Sequence, residues 1–179
     1  GIILTGSEGN ATKLNVSNSL YNLTTAFHYG VWACVADGAY QGKPTHTILV
    51  NDNGAMNISD TAGSPYVASA GIMMDDGVSL IADNGVITTN GKYLYGGINA
   101  YGNDINIRFK DNSHVDVESI TYDAEHKNRN LIVTGGTLTY DYSADNTLWP
   151  VNEQGDKLTN FLLTKDDTHA NFDALSYKG

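Results

Sequence analysis

Cysteine is almost missing from these 179 residues: Cys34 stands alone. Neither an intrachain disulfide framework nor a four-thiolate zinc site can be built from it. Proline occurs three times, charged residues make up 17%, and 10 basic side chains face 20 acidic ones. The net charge of −10 suits phosphate backbones poorly, so no nucleic-acid partner is expected. No apolar run approaches the ~18 residues of a membrane span. No positive segment precedes a hydrophobic one, so any signal peptide is expected to have been removed.

What is present points to strands. Apolar residues reach 41% and cluster in short runs, which excludes a disordered chain. Glycine and asparagine each number 19 and threonine 17. Turn formers with Thr, Tyr, Val and Ile suit short strands joined by tight turns.

Those turns recur. Ile48-Leu49-Val50-Asn51-Asp52-Asn53-Gly54 is echoed by Ser79-Leu80-Ile81-Ala82-Asp83-Asn84-Gly85, by Ile107-Arg108-Phe109-Lys110-Asp111-Asn112-Ser113, and more weakly by Leu131-Ile132-Val133-Thr134-Gly135-Gly136. From Gly54 the anchors advance by 31, 28 and 23 residues to Gly85, Ser113 and Gly136. Upstream, Gly30-Val31-Trp32-Ala33, Gly71-Ile72-Met73-Met74 and Gly97-Ile98-Asn99-Ala100 form a second repeated anchor. Each unit reads as strand, connection, strand, Asp-Asn-Gly bend, strand.

Strand side chains alternate between faces, so positions two apart share one. Alignment on the turn predicts inward columns Val50/Ile81/Phe109/Ile132 and Met56/Ile87/Val115/Leu138, then the less apolar Ile58/Thr89/Val117/Tyr140. Asn57, Thr88, Asp116 and Thr139 fall on the outward face. Asn53, Asn84 and Asn112 are expected to form an amide ladder at the turn. The fold expected is all-β, a right-handed parallel β-helix (β-solenoid) of roughly 4–6 irregular rungs with a less regular C-terminal segment; antiparallel hairpins are the rival. Residues 1–29 read as N-terminal strands or an irregular first rung, 30–142 as the repeats, and 143–179 as an irregular rung or cap. The end at Tyr177-Lys178-Gly179 shows no obvious cap, so the chain is expected to be a piece of something longer.

Ala70-Gly71-Ile72, Gly96-Gly97-Ile98-Asn99-Ala100, Leu80 to Thr89 and Leu131 to Thr139 resemble the repeats of bacterial autotransporter passengers and related large secreted surface adhesins. The resemblance covers roughly residues 30–142. It implies a right-handed parallel β-helix at the bacterial cell surface or outside the cell. No C-terminal membrane barrel or passenger protease signature accompanies it.

Catalytic constellations are not evident, and no enzyme is expected. Asp75-Asp76 beside Gly77 reads as a solvated bend. Asp116 and Glu118 share an outward face, with Arg108 and Lys110 on the neighbouring strand to pair with acids across rungs. His28, His46, His114, His126 and His169 show no metal-ligand spacing and read as turn or surface residues, so no metal or other cofactor, calcium included, is supported. Cys34 sits in an apolar stretch as a small packed thiol. Sequons begin at Asn10, Asn15, Asn22 and Asn57.

Aromatic residues offer the positive signal: eleven Tyr against four Phe and two Trp. Tyr66, Tyr93, Tyr95 and Tyr101 border the Gly-Ile anchors, and Trp32 points opposite Val31 and Ala33. These five are the candidate binding residues. The expected role is a cell-surface or secreted adhesin or structural passenger segment. It would present loops and an acidic, Tyr-rich face to a glycan, a host protein or itself, without spanning the membrane. A polysaccharide-active β-helix lyase or hydrolase and a self-assembling extracellular filament subunit are the rivals.

Overall fold

Alternating Val, Ile, Leu and Thr runs, closed by Asn, Asp or Gly, become strands wherever the alternation lasts five or six residues. The computed structural model describes residues 1–6, 11–25, 28–36, 40–61, 67–165 and 173–178. The first strands are β1 (Ile2–Gly6), β2 (Lys13–Ser17), β3 (Leu20–Thr25), β4 (Tyr29–Val35), β5 (Thr47–Asn51) and β6 (Ala55–Asp60). Then come β7 (Ala70–Met74), β8 (Ser79–Asp83), β9 (Val86–Asn90), β10 (Ile98–Ala100), β11 (Ile105–Lys110) and β12 (His114–Tyr122). The last four are β13 (Arg129–Val133), β14 (Thr137–Asp141), β15 (Phe161–Lys165) and β16 (Asp173–Lys178). No helix occurs among the described residues.

Pairing along the repeats is parallel, skipping two strands at a time as far as β9–β12 and one strand from β10–β12 onward. A first ladder runs β1-β4-β7-β10 and on to the C-terminal part of β12. A second runs β2-β5-β8-β11-β13. A third runs β3-β6-β9, the N-terminal part of β12, then β14. Because β12 serves two ladders, with a register shift between Asp116 and Ser119, the first and third join into one eleven-stranded sheet facing a five-stranded one. The all-β, parallel character expected from the repeats is present. The antiparallel hairpin arrangement is not: β5 and β6 flank an Asp-Asn-Gly turn yet belong to different ladders.

One apolar cluster draws on all three ladders. In the third, Met56, Ile87, Val115 and Leu138 stand in register, all fully buried, as expected from the turn alignment. Ile58, Thr89, Val117 and Tyr140 are buried as well. Asn57, Thr88, Asp116 and Thr139 line up between those two columns, with Thr88 Oγ1 donating to Asn57 Oδ1 at 2.7 Å and Asn57 Nδ2 to Asn22 Oδ1 at 3.0 Å.

The second ladder departs from the expected columns by one residue. Its inward columns are Leu14/Ile48/Leu80/Ile107/Leu131 and Val16/Val50/Ala82/Phe109/Val133. Ile81 and Ile132, expected inside, share the outward column of Leu49 and Arg108. The reason is turn length. Asn18-Ser19 separates paired strand positions by two residues, Asp52-Asn53-Gly54 by three, Asn84-Gly85 by two and Asp111-Asn112-Ser113 by three. Counting back from the turn glycine therefore lands on the wrong face in every second unit, because strand periodicity is two. The left-handed backbone position is taken by Asn18, Asp52, Asn53, Asn84, Asp111 and Gly136, residues that tolerate it. Asn84 Nδ2 reaches Asn53 Oδ1 at 3.4 Å, one step of the expected ladder. Asn112 is not the next left-handed position; Asp111 is.

The Gly-Ile anchors mark a corner. A Cβ on Gly71 would stand 2.5 Å from the Gly97 carbonyl oxygen and 2.8 Å from Thr89 Cγ2. On Gly30 it would meet Ile58 Cγ2 at 2.4 Å. Glycine is needed there because the end of the third ladder presses its Ile58/Thr89 column against the start of the first.

Beyond Tyr142 the pairing changes. Strand β16 pairs antiparallel with β14, and β15 with β16. Leu148 N donates to Ile120 O at 2.8 Å and Val151 N to Leu131 O at 2.8 Å, so residues 146–151 lie along the last strands of the first two ladders. The buried Tyr140 hydroxyl ties this cover to the core through Leu148 O at 2.8 Å. Trp149 sits edge-on between Tyr142 and Phe161, its Nε1 donating to Leu158 O at 3.0 Å. At the opposite end Ile3 and Leu20 are 60% and 65% exposed, where strands β1, β2 and β3 each have a partner on one side among the described residues.

The register shift yields a test. Ala82→Asp places an uncompensated charge inside and is expected to cost about 3–5 kcal/mol. Ile81→Thr on the outward column is expected to cost about 1 kcal/mol or less. Urea unfolding followed by circular dichroism checks both, and the reverse order would restore the alignment by glycine counting.

Candidate ligand-binding groove

The outward column of the first ladder is Ile3/Trp32/Met73/Asn99/Thr121. Trp32 is half-buried, whereas Met73, Asn99 and Thr121 are buried because the segment before β10 folds across them. Leu94 N and Tyr95 N donate to Ala68 O and Ser69 O at 2.9 and 2.8 Å. Asn99 Nδ2 donates to Thr121 Oγ1 at 2.7 Å, and Thr121 Oγ1 to Tyr95 O. The Tyr29 ring lies 5.3 Å from that of Trp32. Burial raises the Tyr29 phenol above its ordinary range, with Tyr95 and Asp75 adding to the shift and Tyr101 contributing less. Of the five candidates, Trp32 thus lies against Tyr29, which the sequence pattern did not single out.

Tyr93 goes elsewhere. Its hydroxyl donates to Ile58 O at 3.3 Å, and burial, then Glu118 and Asp60, holds the phenol well above its ordinary range. Glu118 is a structural anchor here, accepting from Gly91 N at 2.8 Å and from Thr89 Oγ1. Tyr66 lies outside the described residues.

Where the first ladder hands over to the second, a groove of about 450 Å³ opens. It is lined by Tyr40, Tyr101 and His126, by Asp75, Asp76 and Asn103, and by the small Val35, Ala36 and Gly102. Gly102 permits it to form: a Cβ there would stand 2.3 Å from Asp76 N. The Tyr101 and His126 rings are 4.8 Å apart and tilted by 52°. Asp76 Oδ1 accepts from Asn103 N at 2.6 Å and Nδ2 at 2.9 Å. Tyr40 Oη donates to Asp104 Oδ2 at 2.5 Å, and Asn128 Nδ2 to Asp104 Oδ1 at 2.8 Å. The Tyr40 bond, then Asn128, lowers the Asp104 carboxyl below the ordinary range. Tyr101 is 42% exposed, so a ring face remains for a ligand.

Other candidates take structural roles. His46, expected at the surface, is buried, its Nε2 2.8 Å from Cys34 O and its Nδ1 2.7 Å from Thr12 Oγ1. Cys34 is half-buried with its thiol raised, first by burial and then by Asp75, the reverse of nucleophile activation. Lys110 pairs with Asp83 at 2.5 Å across adjacent strands, while Arg108 pairs with Glu153 at 2.7 Å. Among the described residues no three His, Cys, Asp or Glu side chains converge as a metal site. One signal for the groove was legible: Cys34, Asp75 and Tyr101 each stand four residues after an anchor glycine, at one corner.

No family model, curated protein or solved structure matches the chain.

Aromatic faces beside carboxylate and amide acceptors can stack on the C–H face of a sugar and receive its hydroxyl hydrogens. The Asp104 contacts are open to titration. Its folded-state shift is downward, so its contribution to stability is present above the unfolded carboxyl's range and lost as pH falls through the folded one. Tyr40→Phe removes the main cause, and the Asp104 carboxyl is expected to titrate at higher pH in carbonyl-detected NMR. An unchanged midpoint would show that the Tyr40 bond does not act on it.

Proposed function

We propose that the chain is a segment of a right-handed parallel β-solenoid that binds glycan at the surface of a bacterial cell or outside it, as an adhesin or structural passenger does. The solenoid reading is supported by three parallel ladders, each gaining a strand with every circuit of the chain, around one apolar cluster. Right-handed winding follows from the strong preference of parallel crossovers. The groove of Tyr40, Tyr101 and His126 beside Asp75, Asp76 and Asn103 is the observation that carries the binding role. Its floor is hydrogen-bonded in place, which limits the ordering cost of binding. The raised Cys34 thiol and the engaged Asp76 and Asp104 carboxylates favour binding over catalysis. End-to-end stacking into filaments is disfavoured by the segments lying along the last strands.

A glycan array probed with the purified chain tests this. Tyr101→Ala and Asp75→Asn are each expected to weaken the best-bound glycan about tenfold, or ~1.4 kcal/mol, with the thermal midpoint little changed. Absence of glycan binding, or binding indifferent to both substitutions, would overturn the proposal.

A further inference from the structure

A second groove, of about 600 Å³, lies at the last circuit and is lined by Tyr122, Asn128, Arg129, Asn130, Thr147 and Trp149, among others. Its central feature is Arg129. The guanidinium carbon stands 4.7 Å over the centre of the Tyr122 ring, and Nη1 donates to the Asp123 carbonyl. Stacking and that hydrogen bond hold the planar fork in one orientation. Acidic side chains outnumber basic ones two to one in this chain, and Arg108 and Lys110 each hold a carboxylate. Among the described residues Arg129 holds none.

Two acids of this region are engaged with other donors. Asp104 is held by Tyr40 and Asn128, and Asp123 accepts from Glu125 N at 2.7 Å and faces His126 at 3.4 Å. Around the cation stand the groups that a sugar ring needs. Trp149 is locked by its indole hydrogen bond and by two edge-on aromatic neighbours. Asn130 presents an exposed amide, and Thr147 a hydroxyl.

We propose that this groove binds the carboxylate of an acidic sugar, a single hexuronate unit of a glycan. The Arg129 fork receives the carboxylate through paired N–H···O bonds, a geometry that a lysine ammonium cannot reproduce. Trp149 and Tyr122 border the ring, and the Asn130 amide meets its hydroxyls. The choice of a sugar over other carboxylates rests on the glycan-binding reading above; the anion site rests on Arg129 alone.

The experiment is titration calorimetry with trigalacturonate and with its methyl ester, which keeps the sugar and removes the charge. The free acid is expected to bind at least tenfold more tightly than the ester, and more weakly as salt rises. Arg129→Gln is expected to lose at least tenfold, Arg129→Lys to recover only part, and Tyr101→Ala in the first groove to leave this binding unchanged. Asn130→Asp, at an exposed position, sets a carboxylate against the ligand and is expected to weaken it even if Arg129→Gln proves unfolded. Equal binding of acid and ester, or no effect of Arg129→Gln or Asn130→Asp, would overturn the anion site. Equal binding of an acetylated tripeptide through its terminal carboxylate would overturn the sugar assignment. Loss of this binding in Tyr101→Ala would contradict two separate sites.

Discussion

Parallel register between paired strands far apart in sequence is the constraint on which the rest depends. Every described strand of the repeats completes its backbone hydrogen bonds only through a strand some 20–40 residues away, so no unit is stable by itself. A slip of one residue would turn Val50, Ala82 and Phe109 to solvent and bring Leu49, Ile81 and Arg108 inside. Turns of two and three residues alternate without breaking this register, with Asn, Asp or Gly in the left-handed position of each. Packing adapts along the same column: the small Ala82 lies beside the large Phe109, keeping the core filled.

The same constraint positions the groove. Asp75 and Tyr101 follow directly on paired strand ends, so adjacent parallel strands bring a carboxylate and a phenol to one corner. Glycine at 102 then lets its backbone press on that of Asp75 and Asp76, and Asn103 fastens Asp76. Side chains distant in sequence are preorganised by ladders rather than by a rigid loop. The outward ladder of Asn22, Asn57 and Thr88 shows a second use of the repetition, in which like polar groups satisfy one another along the sheet.

Much of the fold was legible because strand alternation leaves a period-two trace. The Met56/Ile87/Val115/Leu138 column and the upstream Gly-Ile anchors could be read directly. Ile81 and Ile132 read as inward but face outward, since an isoleucine on a half-covered outer face looks like one in the core, and turn length decides between them. The site was less legible. Trp32 meets Tyr29 and Tyr101 meets His126, whereas Tyr93, two residues from Tyr95, is held by Ile58 O. His46 looked like a loop residue and is a buried hydrogen-bonding hub. Arg129 gave no signal, because a cation without a carboxylate partner among the described residues is defined by what surrounds it in space.

Backbone nuclear Overhauser contacts test the central claim most directly. Parallel stacking predicts contacts joining residues 47–51 to 79–83, and 79–83 to 106–110, in the register Val50–Ala82–Phe109. It predicts none of the close Hα–Hα contacts of antiparallel pairs between 47–51 and 55–60. A run of such contacts across the Asp52-Asn53-Gly54 turn would contradict the account.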